Sequence, residues 1–209
     1  MRLAFSLPTD DAVHTYCVSC QSENPIHTKI RGLDSYICET CGHAATRAII
    51  IDPEVEYWLS PSATYWHRIA GICVVNNDGK WLFFNRSRHP FGYTIPAGHV
   101  NRYNERVENP IVSAQRELQE ETGISSKVSQ LVPIETLNIV GDECRRGCDN
   151  HLWHIYAIRV PSSAEVQVQE TEGSKPIWLT PAEALSEELT FATRHVLERC
   201  SIKVGQKLA

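Results

Sequence analysis

Gly98 to Ile124 reads GHVNRYNERVENPIVSAQRELQEETGI, and the rest of the chain is read outward from this stretch. Asn109 followed by Pro110 is a helix start: the Asn side chain caps free amides, and proline suits the first helical position. The helix is expected to run through Glu121, with Gly123 ending it. On such a helix Glu117, Glu120 and Glu121 fall within an arc of about 100°. Ile111, Ala114 and Leu118 form a neighbouring apolar stripe suited to packing on a sheet. Carboxylates at i, i+3 and i+4 repel one another in water. A divalent cation reverses that cost, because Mg²⁺ and Mn²⁺ prefer hard oxygen ligands. Glu-rich helix faces are also common as plain solvated surface. Here Arg116 and the flanking glycines set this one apart.

Upstream, Ala70–Val75 and Trp81–Phe84 are β-rich runs joined by Asn76-Asn77-Asp78-Gly79-Lys80, a strong hairpin signal. A short strand near 93–95 leads into Pro96-Ala97-Gly98. Downstream, strands are expected at 151–160 and 175–179, a short helix from Pro181, and an amphipathic helix over 190–200. Strands interleaved with helices point to an α/β or α+β sandwich. No P-loop, nucleophile elbow or GxGxxG pattern supports a different chemistry.

The first 52 residues have another character. Cys17-x2-Cys20 and Cys38-x2-Cys41 stand seventeen residues apart. Two tight knuckles joined by a hairpin would bring four thiolates round one tetrahedral Zn²⁺, a closed structural site. So small a segment buries too little apolar surface to order itself, so the ion would supply much of its folding energy. The expected organisation is a zinc ribbon over 1–52, a connection over 53–66 and a catalytic domain over 67–209.

Composition narrows the partners. Hydrophobic residues make up 42% and charged residues 22% of 209, as in an ordinary globular protein, and the net charge is −5. Residues 1–52 carry Arg2, Lys29, Arg31 and Arg47 against six acids, a balance unlike the basic, aromatic-studded faces that hold single strands. A nucleic-acid partner is therefore not expected, and a scaffold or homodimer contact suits the ribbon better. Charges interrupt every apolar run well short of a membrane span. With no signal-like start and paired cysteines that read as metal ligands, the expected location is cytoplasmic.

The run Arg116-Glu117-Leu118-Gln119-Glu120-Glu121-Thr122-Gly123-Ile124 resembles the second half of the Nudix box. In that family the pattern is Gly, five residues, Glu, seven residues, then Arg-Glu-apolar-x-Glu-Glu-x-Gly-apolar. Glu108 keeps its spacing of seven to Arg116, whereas nine residues separate it from Gly98. The difference reads as a four-residue insertion, roughly Asn101 to Asn104. The resemblance extends over about residues 66–200. It implies an α/β/α sandwich with a mixed sheet behind the ribbon. It also implies a metal-dependent pyrophosphohydrolase cleaving a nucleoside diphosphate linked to another moiety, such as ADP-ribose, a nucleotide sugar or a dinucleotide. Carried over by position, Glu117, Glu120, Glu121 and the Ala97 carbonyl would hold Mg²⁺ or Mn²⁺, and Arg116, paired with Glu108, would orient the carboxylates. A later acid often joins such sites, and Glu172, six residues before Trp178, is favoured over Glu170. A ribbon ahead of a Nudix domain is similar to NADH pyrophosphatases, yet their SQPWPFPxS-like run is missing from Ser125–Asp142.

Cys144-x3-Cys148-x2-His151-x2-His154 invites a second metal. In a strand, however, His151 and His154 point to opposite faces, so the expectation is a loop followed by a strand, with Arg145 and Arg146 as exposed surface charge and contact with substrate phosphate as the alternative. Cys73 and Cys200 are expected to be core thiols. The competing function is a nucleic-acid- or protein-binding module that uses the ribbon and leaves the Nudix fold inert. The complete set of mutually repelling glutamates favours the enzyme.

Overall fold

A computed structural model describes residues 1–103 and 106–209. In chain order the strands of the first half are β1 (His14–Tyr16), β2 (Ile26–Ile30), β3 (Leu33–Ile37), β4 (Ala44–Ala45), β5 (Ile49–Ile51) and β6 (Tyr57–Leu59). There follow β7 (Tyr65–Asn76), β8 (Trp81–Arg86), β9 (Tyr93–Thr94), β10 (Ala97–His99), β11 (Arg102–Tyr103) and β12 (Arg106–Val107). Helix α1 (Pro110–Thr122) precedes β13 (Val132–Val140), β14 (Asn150–Val160), β15 (Gly173–Leu179), α2 (Pro181–Ala184) and α3 (Phe191–Leu208).

The organising strand is β7. One edge pairs in parallel with β14, and the other is shared along its length by β6, β10 and the start of β8, all antiparallel. With β13 and β15 outermost and β9 on β8, this gives the mixed sheet. Successive side chains of a strand alternate faces, and β7 uses both. Ile69, Cys73 and Val75 join Val196, Leu197, Cys200 and Val204 of α3, while Ala70, Ile72 and Val74 join Ala114 and Leu118 of α1. The result is an α/β/α sandwich. Cys73 and Cys200 are both fully buried in the α3-side core.

Helix α1 follows its local signals. The Asn109 side chain accepts from the Ile111 amide, Pro110 occupies the first turn, and Gly123 closes the helix in the left-handed region at φ 72°. Two elements differ from the sequence reading. Helix α3 extends to Leu208, where the Arg159 guanidinium bonds the last carbonyl. Strand β13 was not anticipated: a bulge between Pro133 and Glu135 breaks its two-residue period, so Ile134, Leu137 and Ile139 do not alternate cleanly.

Residues 14–51 form two small sheets, β1–β5 and β2–β3–β4. The β2–β3 hairpin turns on Arg31 and Gly32 at φ 52° and 83°, the paired left-handed conformation of a tight two-residue turn. Tyr57–Leu59, within the expected connection, pairs with the first residues of β7. Tyr16, Ile49 and Ile51 share an apolar cluster with Tyr65, Cys144 and Cys148. Ion pairs from Arg47 to Asp149 (2.7 Å) and from Arg146 to Asp52 (2.6 Å) run across the same boundary. No helix among the described residues is long and apolar enough to cross a membrane.

Candidate active site and metal centres

Pairing of β10 with β7 sets Ala97 opposite Gly71 and lays Gly98 against α1. A methyl group on Gly98 would fall 2.1 Å from the Glu117 carboxyl carbon, so glycine there leaves the room that carboxylate occupies. The Ala97 amide donates to Glu121 Oε2 at 2.8 Å, tying the last glutamate to the strand. Arg116 spans the site: Nη1 donates to Glu117 Oε1 at 2.6 Å and to Glu120 Oε2 at 3.2 Å. Its Nη2 donates to the His99 carbonyl at 3.1 Å and to Glu108 Oε2 at 3.2 Å.

The extra residues before Glu108 are accommodated as a hairpin, β11–β12. The Glu108 amide donates to the Asn101 carbonyl at 2.9 Å, so the chain leaves and returns at one point and Glu108 still meets Arg116. Of the residues expected to form the insertion, Asn104 lies outside the described ones.

Burial dominates the electrostatics. Desolvation pushes the Glu117 carboxyl up to about 7 against the pull of Arg116, and the neighbouring Glu120 and Glu172 add to the rise. Glu121, 4% exposed, is raised well above the carboxylate range, first by burial and then by Glu117. Glu108 goes the other way. Burial opposes its ionisation, yet bonds from Ser113 and Arg116 hold it below its ordinary value. Two buried carboxylates side by side resist carrying charge, and an all-oxygen donor set is the kind a hard divalent ion prefers.

Glu117, Glu120 and Glu121 line a cleft of ≈ 280 Å³ together with Ala97, Arg116 and Glu172. Glu172 is held 3.6 Å from the Arg88 guanidinium, whereas Glu170 lines a separate shallow groove over the end of α1. The sequence reading missed Arg86, Asp142 and Cys144 at the cleft; the loop before β14 also brings in Arg145 and Arg146, for which phosphate contact is the alternative to surface charge. Nothing local in the sequence marks that convergence. Arg146 is pinned to Asp52, while Arg145 makes no ion pair among the described residues.

In the N-terminal segment Cys17, Cys20, Cys38 and Cys41 converge, with Sγ atoms 3.8 Å apart for Cys17–Cys41 and 3.6 Å for Cys20–Cys38. Each pair sits on a tight turn: the Gln21 amide donates to the Cys17 carbonyl, and the Gly42 amide to the Cys38 carbonyl. The Ser22 hydroxyl lies 3.0 Å from Cys38 Sγ and pulls that thiol down to about 6. Four thiolates around one point are compatible with structural zinc. His151 and His154 point to opposite faces of β14. His151 is buried beside Cys144, and His154 meets Thr136 on the far side. Cys148 turns away, its Sγ donating to the Tyr65 and Asn150 carbonyls.

No curated protein matches this chain by sequence. Solved structures do match in fold. The Nudix domain of Shewanella oneidensis NrtR complexed with ADP ribose superposes with a TM-score of 0.55 at 20% identity, covering 72% of this chain and 94% of that one. An Ap4A hydrolase binary complex from C. elegans gives 0.52 at 22% identity, covering 68% and 97%. A MutT Nudix hydrolase from Burkholderia pseudomallei gives 0.52 at 23% identity, covering 64% and 97%. The sequence pattern of the NUDIX domain family matches residues 65–200, which hold the whole glutamate helix and its cleft. The chain therefore belongs to the NUDIX domain family, as a pyrophosphatase acting on phosphoric anhydrides.

Proposed function

We propose that this enzyme hydrolyses the diphosphate bridge of a nucleoside diphosphate joined to a second group, at the cleft beneath Glu117, Glu120 and Glu121. The observation that carries the reading is the pair of buried carboxylates, Glu117 and Glu121, fixed by Arg116 and by the Ala97 amide. Glu117, Glu120, Glu121 and the Ala97 carbonyl would hold Mg²⁺ or Mn²⁺, which when bound neutralises diphosphate charge and lowers the pKa of a coordinated water. Arg116 keeps Glu117 and Glu120 oriented, since its guanidinium is itself anchored on Glu108 and the His99 carbonyl. Arg145, which lines the cleft without an ion pair among the described residues, would meet a phosphate oxygen. Glu172, from the turn just before β15, lines the same cleft and would accept a proton from the attacking water. The four cysteines would hold structural Zn²⁺.

Pocket contacts decide which leaving group is accepted. Ser125–Asp142 lacks the run associated with dinucleotide choice, and half of it is spent on β13, whose buried residues pack under α3. Comparable kcat/KM values are therefore expected for NADH, ADP-ribose and a sugar nucleotide in one Mg²⁺ or Mn²⁺ assay. A hundredfold preference for NADH would refute the broad specificity, and no turnover of any of the three would refute the substrate class.

A further inference from the structure

We propose that His67, His99, Cys144 and His151 form a second zinc site, tetrahedral and closed, in the wall of the catalytic cleft. Their candidate donor atoms all lie within 4.8 Å of one another. Zn–N bonds of about 2.0–2.1 Å and a Zn–S bond of about 2.3 Å put ligand atoms of a tetrahedral site roughly 3.3–3.6 Å apart. His67 Nδ1 stands 3.1 Å from His99 Nε2 and 3.8 Å from Cys144 Sγ, already close to that spacing.

The donors are assembled by the sheet. His67 of β7 and His151 of β14 are register partners across the parallel ladder, β10 delivers His99 from the other edge of β7, and the loop before β14 delivers Cys144. His67 and His151 are essentially inaccessible, at 0% and 1% exposure.

Their hydrogen bonding leaves lone pairs aimed inward. His67 Nε2 lies 2.7 Å from the Tyr65 hydroxyl, whose proton is directed to the Ile50 carbonyl. With its ring proton on Nε2, where the Tyr65 hydroxyl can accept it, His67 turns the Nδ1 lone pair to the cluster. His151 is the stronger sign: its Nε2 has no hydrogen-bond partner among the described residues. Its Nδ1 lies 2.9 Å from Asp142 Oδ2, an ion-pair distance. That Asp142 oxygen takes the Trp153 indole proton at 2.8 Å. With Nδ1 against Asp142, the buried Nε2 is left without a partner, which is costly in a protein interior, and a metal at the centre of the four donors removes the cost.

The donor set selects the ion. One thiolate with three neutral imidazoles is a zinc combination, unlike the oxygen cluster on α1. With Zn²⁺ the four ligands carry a net charge of +1, which the adjacent Asp142 carboxylate balances; carboxylates commonly stand behind zinc-bound histidines in this way. Four protein ligands leave no open position, so the site is structural. It clamps the Asp142–Cys148 loop, and with it Arg145, to β7 and to β10 beside the glutamates.

Elemental analysis of the purified full-length protein is expected to give two zinc ions per chain. Cys17→Ser/Cys20→Ser and Cys144→Ser/His151→Asn should each keep one, and the combined variant none. Cobalt loaded into Cys17→Ser/Cys20→Ser should give tetrahedral d–d bands with charge transfer from a single thiolate, and adding Cys144→Ser should abolish them. X-ray absorption on the wild-type zinc protein avoids any variant that misfolds: two sites require a mixed shell of five sulfur and three nitrogen donors over two ions. A single zinc in an all-sulfur shell, or full zinc retention in Cys144→Ser/His151→Asn, would overturn the proposal.

Discussion

At the scale of single residues, the site is a contest between burial and charge. Glu121 is the most deeply buried of the three glutamates and is anchored by the Ala97 amide. Glu121→Gln preserves its shape and removes one repelling charge. Turnover in Mg²⁺ or Mn²⁺ is expected to fall by about 10²-fold or more. Without metal, the melting temperature should stay level or rise, because the mutual repulsion is relieved. Steady-state kinetics and a melt in chelator check both halves, and near-wild-type turnover would remove Glu121 from the cation site. Gly98→Ala makes the complementary test. Its methyl group must displace the Glu117 carboxylate, which lies 2.1 Å from where the new carbon would stand. A displacement of that order is expected to lower kcat roughly 100-fold, with circular dichroism unchanged. Wild-type kcat would mean that Glu117 does not need its observed position.

At the scale of elements, α1 is specified from both ends. The Asn109 cap and the Gly123 left-handed stop bracket thirteen residues whose apolar stripe packs under β7. Asn109→Ala is expected to cost about 1 kcal/mol of unfolding free energy, measurable by urea denaturation. A change below about 0.3 kcal/mol would mean that packing of Ala114 and Leu118 alone holds the helix, since Asn-to-Ala cap losses ordinarily exceed that. The β11–β12 hairpin shows the other side of element logic. Extra residues inserted between two fixed points are absorbed outward where the Asn101 carbonyl receives the Glu108 amide, and the helix register is untouched.

At the scale of the whole molecule, the cysteine-bearing segment is joined to the hydrolase core. Tyr16, Ile49 and Ile51 pack with Tyr65, and Arg47 bonds Asp149 in the loop that also borders the cleft. Loss of the Cys17/Cys20 ligands should therefore be felt beyond the segment itself. Cys17→Ser/Cys20→Ser is expected to lose one zinc per chain and to lower the melting temperature of the full-length protein. An unchanged melting temperature after verified zinc loss would show that the two parts are energetically independent.

Much of this was legible in the sequence because it is written locally. A cap, a stop glycine, a 3.6-residue stripe, two Cys-x-x-Cys knuckles and the spacing from Glu108 to Arg116 each lie within one element. Their meaning survives whatever the rest of the chain does. The buried strand β7 was readable for the same reason, as a continuous apolar run. Strand β13 was hidden by its bulge, and Arg86 and Asp142 at the cleft by distance along the chain. His67, His99, Cys144 and His151 span 85 positions, counted inclusively, without a shared motif, and only the pairing of β7 with β10 and β14 brings them together. Such register is set by long-range burial of both faces of the sheet, a property of the assembled core that no short stretch of sequence carries.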